Sequence, residues 1–483
     1  MTILPQAVLL YYVTIVHASL PILNGTSIPT FDISDCPSSS DTRTLWGIIW
    51  TCGATLFAWT WTAIHPNIPG TEEKKSTVLL RRLSLMTRAL FVPELIITWA
   101  TLQFFSARQT ANDFNAIFKT QLEPDCPHGN LQNTEESAVT LCGENPQPDE
   151  RNSLAAPKHV NRGAFAEWTV THGFFVWMGG FLLYVNGQPR ATLTPDELLD
   201  FVLQGSVDMP VISEADIQDR SKGDGLSKGI AVLQLAWFII QFIGRSAQHL
   251  QVTLLEIDTL AVAALTCVAS CLWWKKPKDV GHPYHVHWKK GIPPPDNLYY
   301  AKEDKDFIGA PVFHLVYPFL SLMGIDHVIS PGAVRAHRVP SVGGYRAPRG
   351  DHRARRGDIV LLLIGCSSGM VFGGIHCLGW NFLFQKHEEQ MLWRAASLAI
   401  ACAPVILFLN VGYHKLWSKG SESKSGPSAA DICLIFLLIT ALISFLTYIA
   451  ARAVLIVLML LSFLSLPPGV YDTVAWTEFI PHL

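Results

Sequence analysis

Apolar residues run through this chain in continuous blocks of similar length, not in the short alternations of a half-buried sheet. The blocks cover residues 45–64, 89–106, 164–185, 230–244, 252–274, 359–384, 391–417 and 432–450. A helix needs about 20 mostly apolar residues to cross the hydrocarbon core of a bilayer, and several blocks reach that length. The pattern predicts an all-α fold, a polytopic transmembrane helix bundle of about eight spans. Its divisions are residues 1–18, a signal peptide or first helix, and 19–44, a lumenal N-terminal segment. Residues 45–274 follow as a transmembrane region with five spans. Residues 275–357 are a cytoplasmic basic loop with an interfacial segment at 310–330, and 358–483 a C-terminal transmembrane region. A last apolar run, 453–466, is short and stops at Pro467-Pro468, so it either spans or lies in the interface.

Composition agrees with that pattern. Of 483 residues 49% are hydrophobic and only 16% charged, below the ~25% charged content of soluble domains. The formal net charge of -3 says nothing about partners, because the charges are segregated along the chain. Ten cysteines in a chain of this length are no disulfide scaffold. Most of them, such as Cys52, Cys267 and Cys366, lie in apolar blocks, where a thiol behaves as a small hydrophobe. No Cys/His spacing suggests zinc. Val16-His17-Ala18 suits signal peptidase, and Asn24-Gly25-Thr26 is a glycosylation sequon at Asn24.

Lys and Arg counts orient the blocks. Lys74, Lys75, Arg81, Arg82 and Arg88 mark one cytoplasmic loop. Lys275, Lys276, Lys278, Lys289 and Lys290, then the run from Arg335 to Arg356, mark a second. Both loops are cytoplasmic only if an even number of spans separates them. Counting 164–185 as a span, despite Glu167 and His172, gives four. The loop 107–162 is then lumenal, where Cys126 and Cys142 could pair. The Arg-rich run next to a membrane span fits contact with anionic lipids and not with nucleic acid.

Ionisable groups at membrane depth are costly, and each is a functional candidate by default. His172 and His376 could form a metal, haem or proton-relay pair, or could be neutral histidines bonded between helices. Thr253-Leu254-Leu255-Glu256 reads as a capping box, while Asp258, half a turn deeper, has no such explanation. Glu94 follows Pro93, as repair of a kink or as a buried proton site. Outside the blocks the densest polar stretch holds Asp216, Asp219, Arg220, Lys222 and Asp224. Its carboxylates could hold Mg²⁺ while its cations neutralise a diphosphate. The alternative is a solvated helix capped by Ser213. Membrane prenyltransferases carry aspartate-rich motifs of this flavour, but the spacing Asp216-x-x-Asp219-x-x-x-x-Asp224 does not match theirs.

Several strings together give a resemblance over most of the chain. They are Arg43-Thr44-Leu45-Trp46 running to His65-Pro66-Asn67-Ile68-Pro69, Pro93-Glu94-Leu95, Thr171-His172-Gly173-Phe174-Phe175, Met178-Gly179-Gly180-Phe181, Asp219-Arg220-Ser221-Lys222-Gly223-Asp224, Trp273-Trp274 with Lys276-Pro277, and Pro481-His482. In these the chain resembles an uncharacterised family of fungal multi-pass integral membrane proteins. The resemblance implies a membrane setting and no activity.

Two functions remain open. One is a membrane-embedded enzyme acting on a lipophilic metabolite, with Asp216, Asp219, Arg220, Lys222 and Asp224, or His172 and His376, as its catalytic residues. The other is a non-enzymatic transporter, receptor or sensor whose bundle binds a ligand or proton. A closed apolar pocket beside Asp219 and Asp224 favours the first. A two-sided water path joining Glu94 to the lumenal histidines favours the second, as a transporter.

Overall fold

The computed structural model describes residues 42–122, 167–221, 225–296, 298, 335–339, 352–420 and 427–475. The expected signal segment, Asn24, Cys36, Cys126, Cys142, Lys222, Asp224 and the interfacial segment 310–330 lie outside the described residues. Residues 43–483 form one compact unit, to which everything below belongs.

Among the described residues the fold is mostly helical. In chain order it runs α1 (Leu45–Ala63), α2 (Lys75–Phe91), α3 (Pro93–Leu122), α4 (Val170–Trp177), β1 (Phe181–Val185), β2 (Gln188–Thr192), α5 (Pro195–Leu203) and α6 (Glu214–Arg220). It continues with α7 (Gly225–Ala247), α8 (Leu254–Leu272), β3 (Tyr284–His287), α9 (His352–His376), α10 (His387–Gly420) and α11 (Pro427–Ser462). Four helical stretches, Lys228–Ala247, Leu254–Leu272, Val360–Asn381 and Ile439–Ser462, are long and apolar enough to cross a membrane. Their surfaces agree with that. On α7 the apolar side chains of Leu226, Ile230, Leu233, Trp237 and Ile240 are exposed in one stripe at helical spacing. On α11 the same holds for Ile439, Leu442, Ile443, Leu446 and Ile449. Continuous apolar surface of this kind marks contact with something other than water.

Two expectations are corrected. Residues 164–185 are not a span: α4 is an eight-residue helix, and the chain then turns and enters a strand. Gly179 at φ 89° makes that turn, a left-handed conformation that ends the helix without steric cost. The fold is therefore not all-α. A three-stranded sheet in the order β2-β1-β3 pairs β1 antiparallel with β2 and parallel with β3. The β1–β2 hairpin closes on Asn186-Gly187, both at positive φ, as a two-residue hairpin turn requires. The second correction concerns the C-terminal runs. Residues 432–450 and 453–466 are parts of one 36-residue helix, α11, about 54 Å long at 1.5 Å per residue.

Two cores follow from this. The bundle core joins Leu85 of α2, Trp99 of α3, Leu265 of α8, Phe372 of α9, Trp393 of α10 and Leu455 of α11 with Trp273. The second core packs Phe181 and Leu183 of the sheet against Phe175, Leu198 and Ile217 of α4, α5 and α6, and takes in Phe114 and Phe118 from the far end of α3.

Helix α8 gives the bundle its two ends. At its start, Glu256 closes the Thr253 capping box and pairs with Arg43 at 2.5 Å, while Arg43 Nε donates to the Val470 carbonyl at 2.6 Å. Past its other end, Lys278 donates to the Thr62 carbonyl at 2.9 Å, Asp279 pairs with Arg82 at 2.8 Å, and Lys276 donates to Gln103 at 2.9 Å. Arg82 belongs to α2 and Gln103 to α3, and these helices meet at Val92-Pro93 with a bend of 114°. The pair thus starts at the Lys276 end, turns inside the bundle and returns to the same end.

Candidate functional site

Buried polar groups gather at three levels of the bundle. The first lies at the elbow between α2 and α3. Proline cannot continue the hydrogen bonding of α2, so the terminal carbonyls of that helix need other donors. Arg452 of α11 supplies one, donating Nη2 to the Phe91 carbonyl and also reaching Glu94 Oε2 at 3.4 Å. Tyr448, one turn earlier, donates its hydroxyl to Glu94 Oε1 at 2.6 Å. Both charged side chains are nearly buried. The Arg452 guanidinium lies 3.7 Å from the centroid of the Phe372 ring, a cation–π contact.

The second level begins on the other side of Phe372, whose ring centroid is 4.3 Å from that of His376. Gly373 makes room here. A Cβ on it would lie 2.4 Å from the Ala401 nitrogen, so its absence lets α9 and α10 touch. His376 is buried, with Nδ1 2.8 Å from the Phe372 carbonyl and Nε2 3.3 Å from Asp258 Oδ1. A carbonyl oxygen only accepts, so Nδ1 carries a hydrogen. Nε2 would then turn a lone pair toward a carboxylate unless a proton lies between them. Both ring nitrogens are engaged, which leaves none to activate a nucleophile. The Trp393 indole donates to the His376 carbonyl at 3.2 Å.

The third level is at the opposite end. Lys276 is fully buried and donates to the His65 carbonyl at 2.6 Å, Gln103 Oε1 at 2.9 Å and Asn67 Oδ1 at 3.2 Å. Its Nζ also lies 5.1 Å from the Trp99 ring and 5.0 Å from the Trp273 ring. Burial pushes its pKa well below the ordinary lysine value, while three oxygens and two indole faces favour the ammonium. His65 Nε2 and the Trp99 indole nitrogen are buried with no hydrogen-bond partner.

Neighbouring Lys278 is pushed down to about 8 by burial, with the Arg82 guanidinium acting in the same sense. The unfolded chain then binds more protons than the native one between about pH 8 and the usual lysine value, so stability rises with pH across that window. Melting in detergent should show the rise, worth about 3 kcal/mol, and Lys278→Met should flatten most of it. A profile unchanged by the substitution would assign the slope elsewhere, Lys276 being the next group acting in the same sense.

The polar residues of the sheet layer are mostly structural. His172 Nδ1 accepts from the Thr169 amide at 3.1 Å, and Nε2 donates to the Ile212 carbonyl at 2.9 Å. It fixes the start of α4 and does not meet His376. Asp216 closes a capping box on Ser213, accepting from its amide at 3.0 Å and its hydroxyl at 2.7 Å. Asp219 is exposed. Among the described residues no group of three His, Cys, Asp or Glu side chains is placed to hold a metal; Asp224, the third carboxylate of the expected Mg²⁺ site, lies outside them. Among the described residues of this stretch Arg220 alone faces a cleft, together with Thr71, His282, Pro283, Tyr284 and His285. The sequence reading missed Tyr448, Arg452 and Gln103 and took Lys276 for a topological marker. Arg452 carried the one available signal, a lone cation between two apolar runs.

Comparison with known proteins gives one match. A family model described as a family of unknown function (DUF8562) matches residues 15–292 and 357–483. No curated protein and no solved structure matches the chain.

Proposed function

We propose, from the premise that the chain belongs to this family of unknown function, that it is a multi-pass membrane protein that binds a proton within its bundle, a transporter or sensor and not an enzyme. The observation that carries this is the contact between the buried imidazole of His376 and the Asp258 carboxylate, 3.3 Å apart inside the bundle. Ionisable groups inside a membrane bundle mark ion pathways or relays, and here they form a series. Asp258 meets His376, His376 stacks on Phe372, and Phe372 lies under Arg452, which meets Glu94. It joins Glu94 to His376 through packed side chains, with the Phe372 ring between Arg452 and the imidazole; a two-sided water path along it is what transport adds, and the test below reads that as flux. The cleft beside Arg220 is open, with polar and apolar lining in similar measure, whereas an enzyme for a lipophilic metabolite asks for a closed apolar one.

The membrane arrangement is part of the proposal. Six helices, α1 and α7 to α11, cross, and α2 with α3 forms a re-entrant pair, replacing about eight spans. Such a pair is tolerated at membrane depth when its elbow is covered by protein. Six crossings return the chain to its starting side, in keeping with the hydrogen bond from the Arg43 amide to the Tyr471 carbonyl. The end bearing Lys74, Lys75, Lys275 and Lys290 faces the cytoplasm. The fungal resemblance belongs to the same reading.

The test is the purified protein in liposomes enclosing a pH-sensitive dye, under an imposed proton gradient, with infrared difference spectra across a pH jump. A transporter gives a flux that Asp258→Asn and His376→Gln abolish. A sensor gives no flux but an imidazole or carboxyl band that the same variants remove. Absence of both signals would defeat the reading and return the enzyme for a lipophilic metabolite to first place.

A further inference from the structure

We infer that the cleft lined by Thr71, Arg220, Tyr284, His282 and His285 is a binding site for a phosphate monoester. The argument is independent of the proton site and begins with what the lining offers. The cleft measures about 420 Å³, within the ~300–1,000 Å³ of small-molecule sites. Its side chains can present a guanidinium, two imidazoles, a phenol and a hydroxyl, all of them hydrogen-bond donors. No carboxylate lines it. Asp219 and Glu72 are neighbours in sequence of Arg220 and Thr71, but neither reaches the lining.

Arg220 is the anchor. It ends α6, and its guanidinium carbon lies 5.8 Å from the centroid of the Tyr284 ring. Among the described residues it makes no salt bridge and no side-chain hydrogen bond, although Arg43, Arg81, Arg82, Arg338 and Arg452 all pair with carboxylates. An arginine left over a cleft with its planar fork unspent suits the bidentate geometry of phosphate. The histidines add hydrogen-bond donors. Burial lowers the pKa of His285, and the neighbouring charges of His287, Arg220 and His282 lower it further. The lining itself therefore holds one guanidinium and no carboxylate, with imidazole, phenol and hydroxyl groups beside it that can donate to an anion.

The phosphate could come from a soluble ester or from a lipid headgroup. The cleft favours neither by chemistry, but its place admits both. α8 ends at Leu272 in Trp273-Trp274-Lys275, and β3, with Tyr284 and His285, begins at Tyr284, so the cleft lies close to the end of a membrane-length helix.

The experiment uses the full-length protein in phosphatidylcholine nanodiscs. One arm titrates glycerol 3-phosphate by calorimetry. The other adds phosphatidic acid to the nanodiscs and counts retained lipid by native mass spectrometry. Arg220→Gln and His285→Gln are compared in both arms, with melting temperature as the control for folding. Among the described residues neither side chain has a hydrogen bond to lose, so both variants should fold. Losing one charge-assisted contact should weaken binding roughly ten- to a hundredfold. Glycerol 3-phosphate binding that both variants weaken identifies a soluble ester as a ligand. Phosphatidic acid retention that both variants weaken identifies a headgroup. Binding of neither probe, or binding that both variants leave intact, overturns the proposal.

Discussion

Arg452→Ala should be among the most destabilising single substitutions in the bundle, at about 3–5 kcal/mol. The arginine meets three things at once: the Glu94 carboxylate, the orphan carbonyl of Phe91 and the face of Phe372. Alanine removes all three and leaves a nearly buried carboxylate with only the Tyr448 hydroxyl. Lysine keeps the charge but has no planar fork to reach carboxylate and carbonyl together while stacking on a ring, so Arg452→Lys should fall between. Removing both charges is the informative control. Glu94→Gln with Arg452→Met should recover much of the loss, because the penalty lies in an unpaired charge more than in the value of the pair. Chemical denaturation in micelles measures all four. Arg452→Ala within about 1 kcal/mol of the parent, the range of exposed ion pairs, would mean that Glu94 is hydrated and that the elbow is open to water.

That network shows where the sequence could be read and where it could not. Local rules held locally. The Thr253–Glu256 box caps α8, Ser213 caps α6, and the spacing of Gly365, Gly369 and Gly373 brings α9 against Thr98, Pro404 and Ala401. Each is encoded within a few residues. Arg452 and Glu94 are 358 positions apart, and no local pattern announces a partner at that distance. Seen alone, an arginine between apolar runs reads as an interruption, and so one helix was divided in two.

The span assigned to 164–185 failed differently. An apolar run of that length suits a span, but Asn186-Gly187 just beyond it is a hairpin signal, and Gly179-Gly180 inside it allows a turn. Turn chemistry outweighed length. The placement of both basic loops on one side nevertheless agrees with the Arg82–Asp279 contact. In the proposed membrane arrangement the even count comes from the returning α2–α3 pair and the α7–α8 hairpin. Charge asymmetry reports which side a loop lies on, and it is silent on how many helices intervene.

Gly173→Ala should cost about 3 kcal/mol, the upper part of the usual range for overpacking. A Cβ at this position would sit 2.0 Å from the Ala107 carbonyl oxygen and 2.6 Å from its carbon. The obstacle is the backbone of α3, which has no rotamer to change. α4 cannot move away cheaply either. His172 ties it to Thr169 and Ile212, Thr171 to Glu214, and Phe174 and Phe175 are buried in the two cores. The damage should therefore appear as lost amide-exchange protection in 170–177 and in the paired strands, with α9 to α11 keeping theirs. Gly53→Ala on α1 supplies the opposite sign. Its Cβ would meet nothing within 4 Å, so the gain in helix propensity, up to about 1 kcal/mol, should stand alone. If both substitutions stabilise, α3 and α4 are not in backbone contact, and the junction between the bundle and the sheet layer is looser than these distances require.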